Sequence, residues 1–249
     1  MMAQISTNEN NLLDRKPLKE EIFDILHKRI ISGKYAPGEW LRQEDISTQL
    51  GVSQTPVREA LDLLASSGIA ERIPYRGVRV IKLTTEEIVD AYVMRLFLES
   101  KAATVSTLVC TQEDIEYLYE MIRRTESLIS LNDMSAQMQI NREFHHSIVS
   151  AAGNMLLTKL FDTVSHQFPD WMLYEYMFRH PELLQPSLTK ELTEHKAIVD
   201  AIAARNPEKA AYEVTNHIKN LGQELVAYLD ISKALISEKE KHMMNTSNC

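Results

Sequence analysis

Apolar side chains recur at helical spacing over most of this chain and alternate with polar ones in a single short stretch. Ile22, Ile25, Leu26 and Ile30 share one face of a helix of about four turns that opens at Pro17 and stops at Ser32-Gly33. Tyr35-Ala36-Pro37-Gly38 is turn chemistry, and Gln43 to Leu50 predicts a short amphipathic helix ended by Gly51. After the turn Gly51-Val52-Ser53, a second helix is capped by Ser53 or Thr55. It carries Pro56 in its first turn, where a missing N–H costs little, and ends at Gly68. Val57, Leu61 and Leu64 give it an apolar face, and two short helices joined in this way form a helix-turn-helix. The alternating stretch comes next: Ile69 to Ile73, a turn at Pro74-Tyr75-Arg76-Gly77, then Val78-Arg79-Val80-Ile81. This is a hairpin carrying Glu71, Arg72, Arg76, Arg79 and Lys82.

Beyond it the period is helical throughout. Thr84-Thr85-Glu86-Glu87 caps a helix in which Ile88, Ala91, Tyr92, Arg95, Leu96 and Glu99 recur. Further amphipathic segments run over residues 114–130, 133–152, 155–178, 186–204 and 207 to about 239. Six helices over about 155 residues predict an antiparallel bundle. The expected fold class is therefore mainly α, an N-terminal winged helix-turn-helix with a small β-hairpin followed by an antiparallel all-α bundle. The expected divisions are a flexible tail at 1–16, a DNA-binding domain at 17–83, the bundle at 84–240 and a second tail at 241–249. Glycine agrees, because five of the seven fall in the first 83 residues.

Composition narrows the class. The 249 residues are 44% hydrophobic and 25% charged, an ordinary globular balance, with no apolar run near the roughly 20 residues of a membrane helix and no signal core at the N-terminus. A cytoplasmic protein without membrane attachment is expected. Two cysteines, Cys110 and Cys249, support neither a disulfide framework nor a zinc ribbon, so a metal must be held by His, Asp, Glu or Asn. The net charge of −8 divides unevenly, +1 over residues 1–83 and −9 over the rest, so the acidic total does not exclude a nucleic-acid partner for the first domain.

A basic hairpin directly after a helix-turn-helix reads as a wing. Ser53, Gln54, Thr55 and Arg58 at the start of the second helix, with Gln43 opening the first, are placed to meet double-stranded DNA in the major groove. Arg76 and Gly77 at the hairpin tip would reach the minor groove or phosphates. Arg58 is the strongest single base reader, because a guanidinium matches guanine O6 and N7 bidentately. A Gly-linked helix pair that packs without touching DNA is the alternative on pattern alone. Residues 33–80 also carry Gly33, Pro37-Gly38, Leu41, Ile46, Leu50-Gly51-Val52-Ser53, Thr55-Pro56-Val57-Arg58-Glu59-Ala60-Leu61, Leu64, Gly68, Pro74, Arg76-Gly77 and Val80. In these positions the chain resembles the winged helix of the GntR family, and the resemblance implies operator binding. It departs from the family at Gln54, where arginine is usual, and at Glu44, often basic, so readout at both should differ.

In the bundle, Asn141 and His145 stack on one helical face, while His195 and His217 lie on later helices, each beside apolar residues. Three inward imidazoles and an amide oxygen suit a borderline divalent ion; separately hydrogen-bonded core histidines are the alternative. Arg95-Leu-Phe-Leu-Glu99, Asn141-Arg-Glu-Phe-His145, Ala151-Ala-Gly-Asn154, Glu194-His-Lys-Ala-Ile198 and the helix of His217 resemble the FCD ligand-binding domain of the FadR branch of the GntR family. That resemblance implies a metal site at Asn141, His145, His195 and His217, with Zn²⁺ expected and Ni²⁺ or Mn²⁺ possible. His146 should face away from it; His166, Trp171, Tyr174 and Tyr176 are core or pocket aromatics.

Four neutral ligands would leave a dication uncompensated, which predicts a small carboxylate metabolite as effector. Arg95 would either bind its second oxygen or pair with Glu99. The functional expectation is a metabolite-responsive repressor that binds an inverted repeat as a homodimer and lets go when the effector binds. A metal-dependent bundle enzyme is the alternative. A di-iron site wants two Glu-x-x-His pairs, and only Glu143-Phe-His-His146 is present; a nucleophile elbow, a P-loop and a dinucleotide fingerprint are absent.

Overall fold

The computed structural model describes residues 16–128, 130, 133–168 and 170–244. Helix α1 (Leu18–Ile31) follows Pro17 and buries Ile22, Leu26 and Ile30 of the face that predicted it. Strand β1 (Trp40–Leu41) leads into α2 (Gln43–Leu50), whose C-cap Gly51 has φ +66°, a left-handed conformation that glycine takes without a Cβ penalty. Ser53 is the N-cap of α3 (Gln54–Ser66), though its side chain makes no capping hydrogen bond. Strands β2 (Ala70–Ile73) and β3 (Gly77–Val80) form the expected antiparallel hairpin, with Glu71 opposite Arg79. The third strand is new: β1 pairs with the free edge of β3, giving the order β1-β3-β2 with Trp40 opposite Arg79. Two residues are too few to show alternation, which is why the pattern did not announce it.

The C-terminal part is all helix among the described residues: α4 (Thr85–Val109), α5 (Gln112–Glu126), α6 (Met134–Ser150), α7 (Met155–Gln167), α8 (Asp170–Arg179), α9 (Leu184–Ala203), α10 (Pro207–Leu229) and α11 (Lys233–Met244). Thr84 caps α4 through the capping box the sequence predicted. Its side chain accepts from the Glu87 N–H at 3.2 Å, and the Thr84 N–H donates to Glu87 at 2.7 Å. Eight helices stand where six were expected. The segment 155–178 divides because Phe168 precedes a proline and is pushed into an extended conformation, ψ 127°. The last segment divides at Asp230, a left-handed C-cap with φ +53°.

Helix α11 also corrects the second tail. Residues 241–244 continue it; Lys239 donates to Asp90 at 2.6 Å, the Tyr92 hydroxyl donates to Glu240, and Met243 packs on the bundle core. Residues 245–249 and 1–15 lie outside the described residues. Helix α4 is the axis of the bundle, packed against α6, α7, α9, α10 and α11. Gly222 lets α10 approach it, since a Cβ there would stand 2.6 Å from the Tyr92 hydroxyl oxygen. A second apolar cluster joins the two halves: Ile22, Leu26, Ile30 and Leu64 of the winged helix share it with Met134 and Met138 of α6, Trp171, Tyr174 and Met177 of α8, and Leu184 and Leu188 of α9.

Candidate DNA interface and metal centre

Helices α2 and α3 cross at the Gly51 turn, so the first turns of both face the same side. The Gln43 side chain donates to Gln54 at 3.2 Å across that junction. Ser53, Gln54, Thr55 and Arg58 are all exposed on the leading end of α3, while Val57, Ala60, Leu61 and Leu64 on its other face are buried. The wing presents Arg76 and Gly77 to solvent, with Tyr75 fully exposed at φ +62° between them and Pro74. Among the described residues Arg58 and Arg76 make no ion pair, whereas Arg72 pairs with Asp62 and Arg79 with Glu71 at 2.7 Å. Of the four hairpin cations, then, Arg72 and Arg79 are engaged in the fold. Gln43, Arg42, Arg72, Arg76 and Gly77 line one cleft between α2 and the wing, and of these Arg42 was missed by the sequence reading.

The bundle brings the histidines together. His145 (α6), His195 (α9) and His217 (α10) are buried, and one ring nitrogen from each lies within 4.8 Å of the other two. Glu99 meets His145 Nδ1 at 2.6 Å and Glu194 meets His217 Nδ1 at 2.7 Å. A carboxylate only accepts, so in the neutral rings both Nδ1 atoms carry the proton and both Nε2 atoms present lone pairs. Those two Nε2 atoms face each other at 3.3 Å. His195 Nε2 and Asn141 Oδ1 are buried without a partner. Burial first, and the neighbouring rings second, hold His195 well below the ordinary histidine range; burial likewise lowers His217 despite Glu194. Three acceptor atoms thus lack donors, His195 Nε2 beside them has no partner at all, and two nitrogens at 3.3 Å have about the spacing of two ligands on one tetrahedral Zn²⁺. The residues fit a divalent cation.

Of the four aromatics singled out, Tyr174 lines the cavity, beside Asn141. Trp171 is core, Tyr176 stacks on Tyr228 at 4.7 Å, and His166 is exposed on α7. His146 turns outward, 3.4 Å from Asp162. Arg95 does face inward, and it takes the salt-bridge alternative: Nε meets Glu99 at 2.7 Å and Nη1 meets Asp170 at 3.3 Å.

The electrostatic premise behind the effector needs correction. The direct ligands are neutral, as expected, yet Glu99 and Glu194 stand directly behind two of them, and Asp170, Glu191 and Glu224 line the same cavity of about 60 Å³. Burial would raise Glu99, but Arg95 and His145 outweigh it and hold its carboxyl at about 2. Glu191, closed in with Glu224, Asp170 and Glu194, is pushed up to about 8, by burial first and its neighbours next. A cation here would not be bare. Sequence reasoning missed this carboxylate layer except for Glu99, because acids on a helix are ordinarily solvated.

The N-terminal domain, residues 18–80, matches the bacterial regulatory proteins of the gntR family, and residues 90–220 match the FCD domain. The chain belongs to the GntR family, with an FCD domain. The HTH-type transcriptional repressor RspR of Escherichia coli is 24% identical to this GntR regulator over 221 residues, 87% of this chain and 92% of that protein. A probable D-xylose utilization operon transcriptional repressor of Paenarthrobacter nicotinovorans is 27% identical over 208 residues, 83% and 88% of the two chains. The solved structure of E. coli McbR/YncC shares the fold, with a TM-score of 0.62 at 20% identity over 86% of this chain and all of that one. Relatives and fold are those of transcriptional regulators rather than enzymes, which overturns the bundle-enzyme alternative. No described helix is long and apolar enough to cross a membrane.

Proposed function

We propose that this GntR regulator is a metabolite-responsive repressor of the FadR branch. It binds an inverted-repeat operator as a homodimer and holds a divalent cation, Zn²⁺ by preference, at Asn141, His145, His195 and His217. The divisions that fit this role are an N-terminal tail to about residue 16, a DNA-binding unit over 17–83 and the sensing bundle from 84 through α11, within the cytoplasm. One observation carries the cation site: two imidazole nitrogens that present lone pairs to each other at 3.3 Å in a buried cluster. Such an arrangement is repulsive until a cation enters. Glu99 and Glu194 would then fix the ring orientations and raise ligand basicity.

On the DNA side, Arg58 reads a base edge, Gln43, Ser53, Gln54 and Thr55 set the docking of α3, and Arg76 and Gly77 follow the backbone or minor groove. One α3 per chain reads one half-site, so a second copy is required. Phe97, Val105, Leu108 and Val109 on α4, with Met155, Leu156 and Leu160 on the adjacent α7, are between 38% and 74% exposed. So much apolar surface on two packed helices suits a second copy of the same bundle.

The effector is a small carboxylate, and it enters only with the cation in place. Even with Glu191 protonated, the acids in and behind the cavity wall outnumber Arg95 and Lys190, so an anion is repelled until a cation reverses the local field. Arg95, already shared between Glu99 and Asp170, would bind it only by giving up part of one partner. Calorimetric titration of Zn²⁺ into chelator-stripped protein should show about one site per chain, and small carboxylates should bind the loaded form alone. No uptake of Zn²⁺, Ni²⁺ or Mn²⁺, with no thermal shift, refutes the cation site. Equal binding of the effector to stripped protein refutes its dependence on the cation.

A further inference from the structure

The charges around the histidines continue out of the bundle. Glu99 joins His145 at 2.6 Å to Arg95 at 2.7 Å, and Arg95 reaches one oxygen of Asp170 at 3.3 Å. The other oxygen of Asp170 faces Arg142 Nη2 at 4.0 Å, and Arg142 Nη1 donates to the Ser67 carbonyl at 2.7 Å. Ser67 is the C-cap of α3. Charge therefore alternates without a break from the histidine cluster, through α4, α8 and α6, to the end of the helix that would read DNA.

Little of this chain of charges is wet: the side chains of Glu99, Arg95 and Asp170 are at most 10% exposed and that of Arg142 is 22% exposed. A carbonyl at a helix C-terminus is left without an intrahelical partner and bears partial negative charge, which makes it a good seat for a guanidinium. The bundle touches the same place a second time. A Cβ on Gly68, the next residue, would lie 2.5 Å from the His166 carbonyl oxygen of α7. The end of α3 is thus gripped by the bundle at two adjacent residues.

We infer that Arg142 is the positioning residue through which the histidine site controls the seating of the recognition helix. The inference rests on the reading of that site as a cation site. Arg95 is shared between Glu99 and Asp170, and Asp170 between Arg95 and Arg142, so a change at one end is redistributed along the row. Glu99, when it must support a cation-bound imidazole, relaxes its hold on Arg95. Arg95 then takes more of Asp170, and Arg142 is left with less of that carboxylate and a different pull on Ser67. In so dry a setting the groups have few other partners with which to compensate.

Hydrogen exchange of the amides over residues 63–69, with and without Zn²⁺, tests this in full-length protein. In the wild type the addition of Zn²⁺ should change their exchange by about five-fold or more, and Arg142→Met and the isosteric Asp170→Asn should reduce that response to under about two-fold. Calorimetry on the same samples should show Arg142→Met, which lies outside the cavity lining, taking up Zn²⁺ within about three-fold of wild-type affinity, and the exchange of Asp170→Asn is read at Zn²⁺ saturation because Asp170 lines the cavity. Wild-type protein that binds Zn²⁺ without any response at 63–69, or variants that keep the full response, overturn the role of Arg142. Wild-type protein that takes up no Zn²⁺ fails the cation reading itself, a result the calorimetry separates from the others. Should Arg142→Met not fold, Arg142→Gln, which removes the same charge outside the cavity, decides by the same two measurements.

Discussion

His27 sits on the inner face of α1 at 3% exposure, stacked on Phe23, with its Nε2 atom buried and unpartnered. Burial lowers its pKa from 6.5 to about 4; Asp24 opposes the shift and Arg142 adds to it. For a base with a lowered folded-state pKa, the unfolded chain takes up the proton first as pH falls. Stability is then unaffected above about 6.5 and is lost progressively between 6.5 and about 4. At about 1.4 kcal/mol per pH unit the whole interval amounts to about 3 kcal/mol, of which about 2 kcal/mol has gone by pH 5. His27→Leu removes the proton acceptor and forfeits no hydrogen bond. Urea unfolding at pH 7.5 and pH 5, in chelator, should show the wild type losing about 2 kcal/mol more than the variant between the two conditions. His195 and His217 add losses of the same sign, but these are common to both proteins and cancel in the comparison. If His27→Leu is as acid-sensitive as the wild type, His27 is not held neutral at the domain junction and the argument fails.

Arg58→Ala should weaken binding to a selected operator by about 1–3 kcal/mol in a gel-shift titration, while unchanged affinity would remove α3 from the base-reading role. Arg76→Ala should lower the slope of log affinity against log salt by about one, since it removes one phosphate contact; an unaltered slope means the wing tip does not touch the backbone. Gly68→Ala combines φ +75° with a backbone clash against His166, and should lower stability by more than about 1 kcal/mol in thermal or urea unfolding. A neutral result there would mean that the bundle does not hold the end of α3 as described.

The fold was legible wherever one period ran long enough to count. Thr84 with Glu87, Gly51 after Leu50 and the alternation of Val78 and Val80 each announced their element, because a cap, a left-handed turn and a pleat need particular residue types at fixed offsets. Trp40-Leu41 was silent because two residues carry no period, and the break before Asp170 was overlooked because an apolar face continues across it. The gathering of His145, His195 and His217 was legible, since polar residues on apolar faces are rare enough to notice. Its surroundings were not. Glu191, Glu194 and Glu224 look like ordinary solvated acids along α9 and α10, and only the packing of α4 and α8 turns them inward. Arg142 likewise reads as a surface cation one position after Asn141 until α3 is placed against α6.

Regulators built from two units invite exchange of the sensing half, and the shared apolar cluster sets the terms on which that can succeed here. Met134, Met138, Trp171, Tyr174, Met177, Leu184 and Leu188 are buried in one apolar cluster with the winged helix rather than in the main bundle core, Tyr174 and Met177 also lining the histidine cavity. A chimera cut between residues 83 and 84 would strip this face and expose several large side chains on each fragment. A foreign bundle would therefore need its own α6, α8 and α9 surfaces recut to this pattern, together with a cation opposite Ser67, before it could transmit anything to DNA. Modularity in this molecule lies in the list of contacts at the junction rather than in the linker, and that list is short enough to transplant.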